Sequence, residues 1–350
     1  MRKTTALLAA FAILAGLTAC TGTSTLVKDG SIAGCTPVAA PAGAASKSVS
    51  ATGALETAPK VSFPTPLRVT KTQTSVLVSG KGEALRAGDS AFYDLTILNG
   101  RTGKVVAQGT YDSIGDGFGT IAKGAAFEAV TKGLECAQGN SRIAIVANSQ
   151  DGHQNKVYQG IRKNDSLVFV LDVTKTFPAQ ATGHNRLPHN GLPSVVTTKS
   201  GQPGIQLPAG TPPTTKAVEL LKEGTGPKTK KDSFIVAKYT AVGWRDKTVF
   251  DSSWTIGQGQ AKIIGLGNPG VVAGLRAGLI GQKVGSRVLL VIPPKLAVSD
   301  GSDQTVTVPT GTPLVYVVDI LGLAELLGSH AASHVDGQSS TGWPSGMNFE

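Results

Sequence analysis

The segment GLIGQKVGSRVLLVIPP, Gly278 to Pro294, has a counterpart in GLECAQGNSRIAIVA, Gly133 to Ala147, at a constant offset of 145 residues. The segments that follow also correspond: DSLVFVLDV at 165–173 and TPLVYVVDI at 312–320 are offset by 147, so the second copy has two more residues in the intervening loop. Upstream, SGKGEALRAGD at 79–89 answers KEGTGPKTKKD at 222–232. Solenoid repeats have periods of about 20 to 50 residues, so this repeat is two copies of one domain rather than a stacked array. A chain of 350 residues is long enough for two domains with separate cores.

Local signals in the second copy favour antiparallel strands and one helix. Phe234–Tyr239 alternates as a half-buried strand does, Arg287–Ile292 is an apolar run, and Leu314–Ile320 is longer and Val-rich. Val272, Leu275 and Leu279 recur at spacings of three and four, which puts them on one helix face, with Asn268 placed to cap and Pro269 suited to the first turn. Several antiparallel strands with a short helix across them make an α+β domain, and the repeat predicts two. Gly265, Gly267 and Gly270 have the outline of a dinucleotide fingerprint but lack the strand–helix–strand unit that gives it meaning.

Arg2 and Lys3, the apolar run Ala6–Leu17 and the small-residue site Leu17-Thr18-Ala19-Cys20 read as an export signal over residues 1–20. A membrane-spanning helix needs about 20 apolar residues, more than this run supplies. The ending resembles the lipobox of bacterial lipoproteins, which implies lipid on Cys20 and a stable anchor on the outer side of the cytoplasmic membrane. With Cys20 lipidated, Cys35 and Cys136 remain in an oxidising compartment; they read as a disulfide, or else as two unpaired thiols with Cys136 a small buried residue.

The remaining boundaries follow from composition. Residues 21–60 are rich in Ala, Ser, Thr, Gly and Pro and read as a flexible tether, 61–177 as the first domain, and 178–215, with seven prolines, as a connector carrying a short strand at Ser194–Lys199. Residues 216–325 are the second domain, and 326–350 a disordered Ser/Gly/His-rich tail. The net charge of +10 is dispersed and no aromatic residues interleave with it, which argues against a nucleic-acid groove. The five histidines, at 153, 184, 189, 330 and 334, lack a set of neighbouring ligands, so no metal or cofactor is expected.

Six fragments of the second copy, in order, carry a family resemblance: Tyr239-Thr240, VFDSSW at 249–254, GVVAGLRAGL at 270–279, GQKVGSR at 281–287, VIPP at 291–294 and LVYVVDI at 314–320. Together they resemble the core of FKBP-type peptidyl-prolyl cis-trans isomerases. The resemblance implies a bent antiparallel sheet wrapped around one short helix in each domain, with an apolar pocket between them. It also implies isomerisation of X–Pro bonds in exported client proteins. Tyr239, Phe250 and Asp251 match the family's aromatic and acidic wall, and Val271 and Val272 the aliphatic pair before the helix, the first offering its N–H to ligands. Leu275 stands at the pocket floor where many members have Trp, Val308 matches a loop aliphatic residue, and Tyr316 the last-strand aromatic. Another wall aromatic falls at Lys262 or Ile263.

Two departures qualify the resemblance. The family's loop tyrosine after the Pro-Pro turn is Val298, which removes a hydroxyl, so reduced activity is expected. The first copy has Leu95 opposite Tyr239, Val106-Ala107 opposite Phe250-Asp251 and IVAN at 145–148 opposite VIPP, so only the second is expected to be catalytic. A chain that binds proline-containing segments without turning them over is the alternative.

Overall fold

The computed structural model describes residues 35–111, 115–122, 128–158, 160–298 and 311–324. The expected signal segment, Cys20, Val308 and the tail lie outside the described residues. The chain is rich in sheet and has few helices. In the first unit α1 (Ala44–Lys47), β1 (Ser50–Thr52) and β2 (Lys60–Ser62) precede β3 (Gln73–Val78), β4 (Ser90–Asn99), β5 (Val105–Gln108) and β6 (Gly117–Thr120). Then come α2 (Glu128–Leu134), β7 (Ser141–Ala147), α3 (Ser149–His153) and β8 (Leu167–Phe177). The main sheet is antiparallel, in the order β3-β7-β8-β4-β5, with β6 also paired to β4. Three short helices therefore accompany this sheet among the described residues, where one was expected.

The second unit begins earlier than its sequence suggests. It comprises β9 (His184–Asn185), β10 (Ser194–Thr197), β11 (Pro203–Gln206), β12 (Ala217–Glu223), β13 (Phe234–Gly243), β14 (Val249–Ser252) and β15 (Lys262–Gly265). After these come α4 (Ala273–Leu279), β16 (Arg287–Ile292) and β17 (Leu314–Ala324). The sheet runs β14-β13-β17-β16-β12-β9, with β15 also on β13.

The central strands β4 and β8 are buried almost throughout because both faces of the sheet are covered. Side chains of a strand alternate between faces, so in β4 Tyr93, Leu95 and Ile97 enter the core beneath α2, while Leu98 and Phe92 point the other way into separate clusters. That second face supplies two corrections. Residues 35–60, expected within the 21–60 tether, are folded: α1 and the β1/β2 hairpin lie on the first sheet, with Val49, Ala51, Val61 and Phe63 against Ala144, Val146, Val168 and Val170. Residues 178–215 are likewise more than a connector, because Leu192, Val195, Ile205 and Leu207 cover Leu289, Val291, Val315 and Val317. The hairpins have the same register: Ser50 pairs Ser62, and Ser194 pairs Gln206.

Each hairpin is held by a buried arginine. Arg142 donates to both oxygens of Asp172 at 2.5 and 2.6 Å, and to the carbonyls of Gly53, Ala54 and Thr57. The N-terminal arm is further fixed by a disulfide between Cys35 and Cys136, whose Cα atoms are 5.6 Å apart. The units meet through Phe92, Phe118 and Phe177 of the first and Val236, Ala261, Ile263 and Leu321 of the second.

Candidate active site

Strand β13 places Ala237, Tyr239 and Ala241 on the face covered by α4, and Val236 and Lys238 on the face toward the first unit. Its neighbour β14 pairs Ala241 with Asp251 and is shifted by one residue just beyond, at Val242. This register lets the Tyr239 hydroxyl donate to Asp251 Oδ2 at 2.6 Å. Burial and the Asp251 carboxylate both push the Tyr239 hydroxyl well above the ordinary phenol range, so it stays a donor at neutral pH.

Tyr316 joins the pair from β17. Its ring centroid is 6.2 Å from that of Tyr239 and 5.9 Å from that of Phe250, the latter contact nearly perpendicular at 85°, a favoured arrangement for aromatic pairs. Burial, with a smaller contribution from Asp251, raises the Tyr316 hydroxyl as well. Val272 and Leu275 are buried against the same core, while Tyr239, Phe250 and Val271 are only partly buried and form its accessible rim.

The helix reaches this position because it carries two glycines. A Cβ at Gly274 would lie 2.3 Å from Ile292 Cγ2, and one at Gly278 would lie 2.5 Å from Leu290 Cδ2. One expectation about its start is corrected. The N-cap is Val272, not Asn268; Asn268 instead shapes the preceding turn, its side chain accepting from Gly270 N at 2.8 Å. The N–H of Val271 is engaged in that turn, donating to the Asn268 carbonyl at 3.2 Å. Arg276 closes the corner by donating from Nε to the Val271 carbonyl at 3.0 Å.

Seven of the eight expected site residues therefore surround one apolar centre; the eighth, Val308, lies outside the described residues. Strand alternation puts Lys262 on the same face as the core residue Ile264, with its side chain exposed, whereas Ile263 packs between the units. Val298 is 51% exposed, and its carbonyl accepts from Ala273 N at 2.9 Å, so the loop is fastened to the helix start without a hydroxyl. In the first unit the register Ile97 to Ala107 corresponds to Ala241 to Asp251, and Leu95 occupies the place of Tyr239. Both Leu95 and Ala107 are fully buried.

Lys238 is a feature that sequence reasoning missed. Its side chain is buried, donates to the Gly88 carbonyl of the first unit at 2.8 Å and lies 4.6 Å from the centroid of the Trp254 ring. Burial lowers its pKa to about 8, with Asp89 and Asp319 opposing that shift. No local sequence pattern marks it, because the carbonyl it reaches lies 150 residues away in the other unit. Among the described residues no three His, Cys, Asp or Glu side chains converge as a metal site would require.

An antiparallel sheet closed by a two-glycine helix, with a tyrosine–carboxylate pair at the edge of an aromatic rim, defines the class of protein. The sequence signature of FKBP-type peptidyl-prolyl cis-trans isomerases matches residues 226–321. The chain is 30% identical over 122 residues to an FK506-binding protein of Streptomyces anulatus, covering 35% of this chain and 97% of that protein. Among solved structures it is similar to a peptidyl-prolyl cis-trans isomerase from Pseudomonas syringae pv. tomato, at 25% identity, 31% coverage of this chain, 74% of that chain and a TM-score of 0.26. It is also similar to the three FKBP domains of wheat FKBP73, at 16% identity, 72% coverage of this chain, 94% of that chain and a TM-score of 0.31. The chain belongs to the FKBP-type peptidyl-prolyl cis-trans isomerase family.

Proposed function

We propose that this protein accelerates cis-trans exchange of X–Pro bonds in exported proteins, that catalysis resides in the second unit alone, and that lipid on Cys20 holds the chain at the outer side of the cytoplasmic membrane. Its two units are read as FKBP-like domains, the first of them non-catalytic. The reaction breaks no covalent bond. Its barrier of about 18 to 20 kcal/mol comes from the partial double bond of the amide, and the uncatalysed exchange takes tens to hundreds of seconds. A site that holds the proline ring against apolar walls and takes the preceding carbonyl out of water weakens the solvation that favours the planar, charge-separated amide. The twisted state is then favoured relative to both planar ones.

The observation that carries this reading is the Tyr239–Asp251 hydrogen bond beside Phe250 and Tyr316. It fixes the carboxylate at the partly exposed edge of an apolar rim, and the first unit replaces the pair with Leu95 and Ala107. Val272 and Leu275 supply the apolar floor beneath the rim of Tyr239, Phe250 and Val271, and Val308 is proposed as a further wall residue. The test is exchange of a short Leu-Pro or Phe-Pro peptide by the purified chain lacking residues 1–20, beside its Asp251→Ala variant. Acceleration that is lost in the variant supports the reading; a folded chain that gives none rejects it.

A second reading, binding of proline-containing segments without turnover, is favoured by Val298, which presents no hydroxyl to a substrate carbonyl. It predicts saturable peptide binding with no change in exchange rate. The lipid anchor has a separate test: Cys20→Ala should release the protein from membranes into the soluble fraction.

A further inference from the structure

We infer that the first unit braces one wall of the candidate site, and that Thr120 and Lys238 are positioning residues for the isomerase reaction. The inference rests on the isomerase reading above. The wall is the segment 253–261, which leaves β14 two residues after Asp251 and returns as β15. At its start it is tied to the backbone of Tyr239: Tyr239 N donates to Ser253 Oγ at 2.8 Å, and Ser253 N donates to the Tyr239 carbonyl at 2.9 Å. A shift of this segment is therefore transmitted to the residue whose hydroxyl holds Asp251.

The other side of the same segment rests on the first unit. Ala261 N donates to Thr120 Oγ1 at 3.0 Å, and that hydroxyl is itself fixed by Ser90 Oγ at 2.8 Å in a buried site. A Cβ built at Gly259 would lie 3.8 Å from Ala122 Cβ, so the segment approaches the Ala122 methyl of the first unit there. Trp254, next to Ser253, lies under the Lys238 ammonium, which reaches across to the Gly88 carbonyl. The segment is thus backed at Gly259 and Ala261 by Ala122 and Thr120 of the other unit, and at Trp254 by Lys238, which is itself anchored to Gly88 of that unit. A mere spacer would have no reason to supply a buried hydroxyl for a backbone N–H belonging to its neighbour's loop, since that N–H could instead face water.

The experiment compares the chain lacking residues 1–20 with Thr120→Val, Thr120→Ser and Lys238→Met, measuring kcat/KM for a Leu-Pro peptide and amide hydrogen exchange over 253–261. Exchange in β7 and β8 serves as the control for folding. Thr120→Val and Lys238→Met should each speed exchange in 253–261 and lower kcat/KM by about two- to tenfold, the range expected for one lost hydrogen bond. Protection of β7 and β8 should be unchanged, and Thr120→Ser should restore both quantities. Unaltered kcat/KM in both Val and Met variants of an active protein overturns the positioning role alone. An unmodified chain that does not accelerate exchange rejects the isomerase reading and the positioning role with it, whatever the amide exchange reports.

Discussion

Arg287 donates from Nε and Nη2 to the two oxygens of Asp319 at 2.5 and 2.7 Å, with both side chains buried. The remaining donors reach Thr197 Oγ1 at 2.5 Å and the Gly201 carbonyl at 2.7 Å, both in the β10/β11 hairpin that lies between β9 and β12 in the chain. Removing the arginine strands a buried carboxylate, a change that typically costs about 3 to 5 kcal/mol. Arg287→Met should therefore lower the free energy of unfolding by that order in urea titration. A fragment beginning at residue 216 should be destabilised for the complementary reason, because it keeps the guanidinium and loses two of its acceptors.

The arrangement also explains which parts of the fold were legible. Tyr239, Phe250, Asp251, Val272, Leu275 and Tyr316 each stand inside one of the six fragments that carry the resemblance, and the fold brings those fragments together around one apolar centre. Of the two hairpins only β10 was legible, as the short strand expected at Ser194–Lys199; strands of three or four residues offer only a pair of inward apolar positions, and the surrounding residues read as tether or connector. The signal lay in the repeat: PKVSFP at 59–64 and PGIQLP at 203–208 are offset by 144 residues. Extending the repeat upstream would have placed the hairpins inside the duplicated unit. Lys238 stayed hidden for another reason, as its partner is a backbone carbonyl on a different unit, and no local pattern encodes that.

If the Tyr239 hydroxyl acts by holding Asp251, the two residues should not contribute independently. Tyr239→Phe and Asp251→Ala should each reduce kcat/KM, and the double variant should be little worse than Asp251→Ala alone. The coupling expected for a hydrogen bond to a charged group is about 1.5 to 3 kcal/mol. Peptide exchange rates for the four proteins measure it, and strict additivity would show that the pair acts as two separate walls.

Asp94 of the first unit occupies the place of Lys238 and is buried, and neither of its carboxyl oxygens has a hydrogen-bond partner among the described residues. Burial raises its pKa to about 7, and the Asp116, Asp172 and Glu56 carboxylates add to the shift, against a smaller effect of the Asp116 backbone. A folded-state pKa above the unfolded one means that the folded chain binds more protons in the interval. The favourable contribution is complete below about 3.8 and is lost as the pH rises through about 7. Asp94→Asn removes that dependence. The Tm of the variant minus that of the unmodified protein should rise between about pH 4 and pH 7 and stay level above, as differential scanning calorimetry would record.

Val298 offers the opposite kind of test, a gain. Its side chain is half exposed beside the start of α4, and its backbone is already fixed by Ala273 N. A tyrosine there therefore needs no rebuilding of the loop, and its ring has solvent to turn into rather than a core to displace. A hydroxyl able to donate to a substrate carbonyl other than that of the rotating X–Pro amide should contribute about 0.5 to 1.5 kcal/mol to holding the bound segment, and to the extent that it strengthens ground-state binding equally, the gain appears in KM rather than kcat. Val298→Tyr is expected to raise kcat/KM by up to about tenfold, with unfolding stability within about 0.5 kcal/mol of the starting protein, as is usual for surface substitutions. Saturation kinetics on a Phe-Pro peptide would separate the two contributions. A variant that binds the peptide more tightly yet turns it over no faster would mean that the aromatic rim, and not the loop hydroxyl, sets the rate in this protein.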